Sequence, residues 1–443
     1  MNLNANNRCL MPHDDAFDPY AGQRTTPGPI YPPIYQASFE YDLTSPDIYR
    51  NGIPYAVLNK MRRDAPVWWH AEHTPNEPGF WLLSKHADIV AVSKDPQTYS
   101  SAIGAGAAIS FEHQMAPPAP ERLAIYRATM VHMDPPEHRD CRRLITPHLL
   151  GKGAAKLEDT IRATVDQRIA AIPKGMPFDL VEAYSAIIPA ATLCHLLGVP
   201  PEDREQVVHW GDTLAGLGDP QYAQSAATIH RDVYAYGRKL LEQKRIAPAD
   251  DLLSAALQAY EMSDTKLRPG SMEGLFSLMI IAGHRTTRNT ITAGLLALYQ
   301  RPDQLEALRS DPTLISNAVE EILRWTVVVP TFRRTCTRDV VIRGQNIAAG
   351  EKVVLSYAAA NFDEDVFTAP EQLDIQRQNA RQHLSFGIGE HFCAGNMLAR
   401  LQLRIAIAAF VAAFARMELV ETPVYLRANQ AASIKQAIIR VGD

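Results

Sequence analysis

The chain has 443 residues, 46% of them hydrophobic and 21% charged, with a formal net charge of -5. A chain this long buries most of the surface it exposes when unfolded, so it needs no covalent staples, and its acidic balance excludes a nucleic-acid binder driven by bulk charge. The five cysteines (Cys9, Cys141, Cys194, Cys336 and Cys393) stand far apart without a CxxC pair. That spacing excludes a disulfide framework or a zinc ribbon and points to a reducing, cytoplasmic compartment.

In chain order, residues 1–40 read as an extended arm, because Gly28-Pro29-Ile30-Tyr31-Pro32-Pro33 cannot sit inside a helix. Met1 to Arg8 has no apolar core and is not a secretory signal. Helical patterning starts near Pro54. Pro66-Val67-Trp68-Trp69 and Phe80-Trp81-Leu82-Leu83 predict two short strands around a polar turn. Ser100 to Pro120 is a loop long enough to be functional. From Pro136 to about Leu323 the pattern predicts helices over 137–150, 156–172, 180–197, 202–217, 222–245, 249–261, 271–300 and 312–325. The 271–300 segment is the longest and is apolar around its whole circumference, which marks a central helix.

After Pro330 the pattern changes to short strands, such as 340–342 and 353–355, split by Gly344 and Gly350. A glycine-rich loop at 383–395 then leads into a last helix at about 394–416. The longest apolar run, Ile405 to Ala415, falls short of the roughly 18 residues of a membrane span, so a buried helix of a soluble protein is expected. The expected architecture is mainly α with a small β region, one large domain over 41–443.

The strongest chemical signal is Phe386-Gly387-Ile388-Gly389-Glu390-His391-Phe392-Cys393-Ala394-Gly395. Gly387 and Gly389 allow a tight turn and close approach of the backbone to a flat cofactor. Cys393 stands just before a helix, where the helix dipole and free N–H groups favour a thiolate. Gly395 removes a side chain where a macrocycle has to pass.

This run resembles the haem-binding signature of the cytochrome P450 family, FGxGxHxCxG, with every fixed position present. Three further segments extend the resemblance from about Tyr41 to the C-terminus. Glu321-Ile322-Leu323-Arg324 resembles the family's ExxR helix, whose Glu and Arg lock the cysteine loop. Ala282-Gly283-His284-Arg285-Thr286-Thr287 resembles the oxygen-side segment of the central helix. His138-Arg139-Asp140-Cys141-Arg142 resembles an HxxxR element that contacts the haem propionates.

The resemblance implies a cytochrome P450 fold holding haem b, with Cys393 as the iron ligand. It places His138, Arg142, Arg334 and His391 at the propionates, and Phe386, Gly387, Gly395 and Ala282 against the macrocycle. Gly283 and Thr286 fall at the oxygen, and Asn289, one turn on, is expected to hold a water. The implied activity is insertion of one atom of O2 into a hydrophobic small molecule by hydroxylation, epoxidation or O-dealkylation. Electrons would come from NAD(P)H through a ferredoxin reductase and a ferredoxin, since no GxGxxG fingerprint appears. Arg139 and Arg143 are the basic patch expected to dock that ferredoxin, and a monomer is expected. The segments Asn51-Gly52-Ile53-Pro54 and Ala65-Pro66-Val67-Trp68-Trp69 are similar to bacterial members acting on sterols, terpenoids and alkyl chains.

One position departs from the family. The residue before the threonine is normally acidic and starts the proton relay; here it is Arg285, which cannot pass a proton. Three readings stand: a side chain turned outward onto a carboxylate of a neighbouring helix, a grip on an anionic substrate in a peroxide-driven or otherwise atypical enzyme, or a non-catalytic haem-fold binding or recruitment module. His284 is open between a group facing a water channel and a second relay member. The substrate pocket is expected from Ile103, Ile109 and Phe111, the 205–235 region, Leu278, Ile281 and Ala282, and Val328, Val329 and Phe332.

Overall fold

The structure, a computed structural model, describes residues 42–442 apart from 75–76, 104–119, 217–218, 223, 225–227 and 265–266. The 1–40 arm, Ile109 and Phe111 lie outside the described residues. The chain opens with helix α1 (Tyr55–Asp64), strands β1 (Val67–Thr74) and β2 (Glu77–Leu83), helix α2 (His86–Ser93) and strand β3 (Tyr99–Ser100). The two strands expected around the polar turn form as a hairpin, with Val67 opposite Leu83 and Trp69 opposite Trp81.

A helical body follows: α3 (Pro120–Arg127), α4 (Glu137–Leu149), α5 (Gly151–Ala155), α6 (Glu158–Ala171), then strand β4 (Phe178–Asp179) and α7 (Ile187–Leu197). Next come α8 (Arg204–Ala215), α9 (Ile229–Ile246), α10 (Leu252–Glu261), α11 (Ser271–Gly283), α12 (Arg285–Tyr299), α13 (Pro302–Ser310) and α14 (Ile315–Thr326). Strands β5 (Thr331–Cys336), β6 (Val340–Ile342), β7 (Gln345–Ile347) and β8 (Lys352–Ser356) precede a short helix, α15 (Tyr357–Ala360). The last long helix is α16 (Asn396–Ala413), followed by β9 (Arg416–Leu419), β10 (Val424–Tyr425), β11 (Ile434–Gln436) and β12 (Ile438–Gly442).

The main sheet has the order β1-β2-β8-β5-β3, with β2 and β8 parallel and the other pairs antiparallel. Val353, Val354 and Leu355 of β8 are all buried, as a central strand covered on both faces must be. Two large apolar clusters result among the described residues: one between the helices and one between the sheet, α1 and α2.

The expected central helix over 271–300 is interrupted: α11 ends at Gly283, and His284 sits at φ -101, ψ -62 before α12 begins. The Thr286 hydroxyl donates to Ala282 O at 2.7 Å, putting a side chain into the ladder next to a glycine, a recognised cause of helix breaks. A Cβ at Gly283 would come 2.9 Å from Leu193, so the break is packed directly against α7. Among the described residues one helix, α16, is apolar and long enough to cross a membrane; 56% of it is buried, between α6, α12 and α14.

Candidate functional site

The cysteine loop is built by short backbone bonds. Cys393 N–H donates to Phe386 O at 2.8 Å, closing the turn, and Gly387 and Gly389 take φ +66 and +75. At Gly389 any Cβ would lie 2.2 Å from Ser93 O, so only glycine lets the loop seat on α2. A Cβ at Gly395 would meet open space instead. That space is a cavity of about 250 Å3.

Glu321 and Arg324 form a fully buried bidentate pair, at 2.8 and 2.7 Å. Arg324 also donates to Asn361 O and Pro370 O, both at 2.8 Å, and Arg377 adds a second cation to Glu321 at 3.1 Å. Asn361 carries the lock to the cysteine loop: its Oδ1 accepts from Leu384 N–H and its Nδ2 donates to Ser385 Oγ, each at 2.7 Å. The motif predicts the Glu–Arg pair; it is silent on Asn361 and Arg377, whose partners are distant in sequence.

The cavity brings most of the sequence-predicted residues together. Cys393, Phe386, Gly387 and Gly395 line it from one side, and Ala282, Gly283 and Thr286 from α11 and α12 line the other. His138 and Arg142 of α4, Arg334 of β5 and His391 line one edge, and Leu278, Val328, Val329 and Phe332 add apolar wall. Ile281 packs in the helical core, and Ile103 is half exposed; neither lines the cavity, and nor does any described residue of 205–235.

The edge group is an unbalanced cationic cluster. Arg334 is buried, yet its one hydrogen bond is to Arg333 O at 2.7 Å, and neither it nor Arg142 has a carboxylate at ion-pair distance among the described residues. His391 Nε2 is buried without a partner, its ring 4.2 Å from that of His138. Burial, together with the charges of Arg334, His138 and Arg142, holds His391 well below its ordinary range. Buried donors without acceptors are rare, so the cluster calls for an anionic ligand. A flat macrocycle with two carboxylates fits both the donors and the open space over Gly395.

Cys393 meets the same cavity. Burial pushes its thiol up, against the pull of the Gly395 N–H, Arg142 and Arg400. The lowering expected from the helix terminus is thus outweighed by burial; metal coordination, which deprotonates a thiol outright, would supply the difference.

Arg285 is turned away from the cavity and paired with a carboxylate of a neighbouring helix, as the first reading had it, though buried rather than outward: Nη2 donates to Asp212 O at 2.6 Å and Asp212 Oδ1 at 3.0 Å. Arg288 donates to the same carboxylate at 2.9 Å. Two other expectations need correction. Asn289 does not line the cavity. Its Nδ2 donates to Ala432 O at 3.1 Å and to Ser433 Oγ, and its Oδ1 accepts from Ile434 N–H at 2.8 Å, so it clips β11 to α12. Arg139 and Arg143 are not a free basic patch: Arg139 is held bidentate by Glu390 at 2.9 and 3.0 Å, and Arg143 pairs with Asp140.

His284 is buried in the same cluster, its Nε2 3.2 Å from Ala186 O and its Nδ1 3.7 Å from Asp212. Burial, then the Arg288 charge, hold it down to about 4, so it is neutral near pH 7. Burial pushes the Asp212 carboxyl up, but Arg288, Arg285 and His284 together bring it below its ordinary value. The sequence carried no sign of Asp212.

Comparison with known proteins agrees with this geometry. Residues 200–424 match the family model "Cytochrome P450". The chain is 36% identical to cytochrome P450 126 of Mycobacterium tuberculosis over 90% of its length and 97% of that protein. It is 33% identical to linalool 8-monooxygenase of Pseudomonas putida, over 88% of this chain and 95% of that one. A Mycobacterium marinum cytochrome P450 solved with pseudoionone superposes with a TM-score of 0.80 at 33% identity, covering 90% of this chain and 98% of that chain. The chain belongs to the cytochrome P450 family of haem-dependent monooxygenases.

Proposed function

We propose that the substrate is a neutral, hydrophobic molecule of the terpenoid, sterol or branched-alkyl kind, and that electrons reach the haem from a ferredoxin. The observation that carries this reading is the cavity wall on the Thr286 side. Leu278, Ala282, Val328, Val329 and Phe332 are apolar, and Arg285 is spent on Asp212 outside it. An apolar wall with few polar groups selects apolar ligands. The names of the relatives agree in kind: linalool 8-monooxygenase, steroid C26-monooxygenase and methyl-branched lipid omega-hydroxylase. The placement of Arg285 removes the basis for a substrate carboxylate gripped by that residue.

Cys393 would hold the iron of haem b and His138, Arg142, Arg334 and His391 its carboxylates, and the bound group would supply the oxygen chemistry. The chain's own residues exclude water, position the substrate and manage protons. In the net reaction one oxygen atom enters a C–H bond and the other leaves as water, consuming two electrons and two protons.

None of the charged groups behind α12 delivers those protons. Arginines do not deprotonate, and neither Asp212 nor His284 lines the cavity. Thr286 gives its own proton to Ala282 O, which leaves its oxygen lone pairs toward the cavity to order a water. Proton delivery therefore runs through cavity water at Thr286.

With Arg139 and Arg143 neutralised, the better docking face for an acidic donor is the cleft of about 160 Å3 where Arg381 and Arg404 stand beside carboxylate-paired Arg400. The test is a spectral titration of purified holoprotein with matched neutral and carboxylated terpenoids, sterols and branched alkanes. It is followed by turnover with ferredoxin, its reductase and NAD(P)H against turnover with hydrogen peroxide. Neutral ligands shifting the spectrum and product forming with the redox partners support the reading. A preference for carboxylates, or faster peroxide turnover, overturns it.

A further inference from the structure

The cysteine loop is gripped from behind by an ion pair that the mechanism above does not use. Arg400, in the second turn of α16, donates to Glu320 of α14 through two bonds, Nε to Oε1 at 2.7 Å and Nη2 to Oε2 at 3.0 Å. Its third nitrogen, Nη1, donates to Asn396 Oδ1 at 2.8 Å, and Asn396 Nδ2 donates in turn to Cys393 O at 2.7 Å. The guanidinium carbon stands 4.6 Å from the centroid of the Phe386 ring, within cation–π range. Arg400 therefore touches both ends of the ligand loop, since the Phe386 carbonyl accepts from Cys393 N–H. Glu320 touches neither.

We propose that Arg400 is a positioning residue for the cysteine ligand whose charge, balanced by Glu320, sets the reduction potential of the metal centre that Cys393 binds. The proposal rests on the haem-thiolate reading of the site. A cation beside the thiolate stabilises the added electron, so it raises the potential; an anion behind the cation weakens that effect. Hydrogen bonding and nearby charge around a cysteine ligand are established levers on such potentials.

The charges are fixed over the working range. Burial pushes Glu320 up, but His383 and Arg400 hold it down to about 2, so it is ionised. His383 is held below its ordinary value chiefly by burial. Ser385 N–H donates to His383 Nδ1 at 3.1 Å, so the proton of the neutral ring lies on Nε2, which donates to Glu320 Oε2 at 3.2 Å. The pair is thus one cation near the sulfur and one anion on its far side. Arg400 is also among the charges that draw the Cys393 thiol down against burial, whereas Glu320 is not.

The two charges must act with opposite sign, and this separates tuning from support. In spectroelectrochemical titration of the holoprotein, Arg400→Gln should lower the equilibrium constant for one-electron reduction about 3- to 10-fold, tenfold being about 59 mV. Glu320→Gln should raise it by a similar factor, and Arg400→Lys, which keeps the charge, should stay within about 2-fold of wild type. Shifts of the same sign in the two neutralising variants overturn the proposal, as does any result in which Arg400→Gln and Arg400→Lys agree. If Glu320→Gln does not retain haem, the comparison of Gln with Lys at position 400 decides alone. The carbon monoxide spectrum of each reduced protein is read in parallel. A wild type without the thiolate-type absorption refutes the ligand assignment itself, a result distinct from a failure of tuning.

Discussion

Asp212→Asn tests how the inverted charge at position 285 is tolerated. Among the described residues Asp212 is the one carboxylate shared by Arg285 at 3.0 Å and Arg288 at 2.9 Å, both arginines being buried. Wild type therefore carries one excess cation here, and Arg285 Nε and Nη1 and Arg288 Nε already lack partners. Replacing the carboxylate by an amide leaves two uncompensated buried cations. Removing one partner of a buried pair costs about 3–5 kcal/mol, and the partial exposure of Asp212 favours the lower end, about 3 kcal/mol. At about 2.1 cal/mol/K per residue, that is a fall in Tm of about 3 °C for a chain of this length. Arg288→Gln in the same chain returns the cluster to one excess cation, so the double variant should recover at least about 1.5 kcal/mol. The assay is scanning calorimetry of the four holoproteins. An Asp212→Asn protein within about 0.5 kcal/mol of wild type, or a double variant whose losses simply add, refutes the claim that the arginines depend on this carboxylate.

Other consequences follow from the same geometry. Arg285→Leu should leave the spectral shifts given by neutral and carboxylated ligands in their wild-type ratio; loss of carboxylate binding alone would show that Arg285 reaches the substrate. Arg334→Leu removes a charged donor to a propionate worth about 1.5–3 kcal/mol, so haem transfer to an apoprotein acceptor should quicken roughly 10- to 100-fold, and an unchanged rate counts against the assignment. His284 is lowered from 6.5 to about 4, so as pH falls the unfolded chain takes up its proton first. Its contribution is complete above pH 6.5 and drains away down to about pH 4, about 3 kcal/mol in all. His284→Gln should abolish that part of the acid loss in urea unfolding of the holoprotein, and an identical pH slope in both proteins would contradict it.

What was legible in the sequence is what acts at short range. The cysteine loop shows itself because glycines, His391 and Cys393 serve one turn, and Glu321 and Arg324 because a helix brings positions three apart together. The hairpin at Trp68 and Trp81 and the buried strand at Val353 follow from local apolar pattern. The break at His284 was not legible: apolar periodicity runs through it, and the decisive bond is from the Thr286 hydroxyl to Ala282 O. The sequence could not name the partners of Arg285 and Asn289, which lie 73 and 143 residues away at Asp212 and Ala432, because periodicity does not say which helix faces which. The same holds for Asn361, which reaches Arg324 and Ser385 across 37 and 24 residues. Arg139 and Arg143 looked like a patch because a sequence shows charges but not that Glu390 folds back onto one of them.

The claim beneath all of this is that the Cys393 sulfur ligates the haem iron, and the absorption of the reduced protein under carbon monoxide reads it directly. The account predicts the thiolate-type band in the wild type and its loss in Cys393→Ser. A histidine-type band in the wild type, or a spectrum that the substitution leaves unchanged, would contradict it.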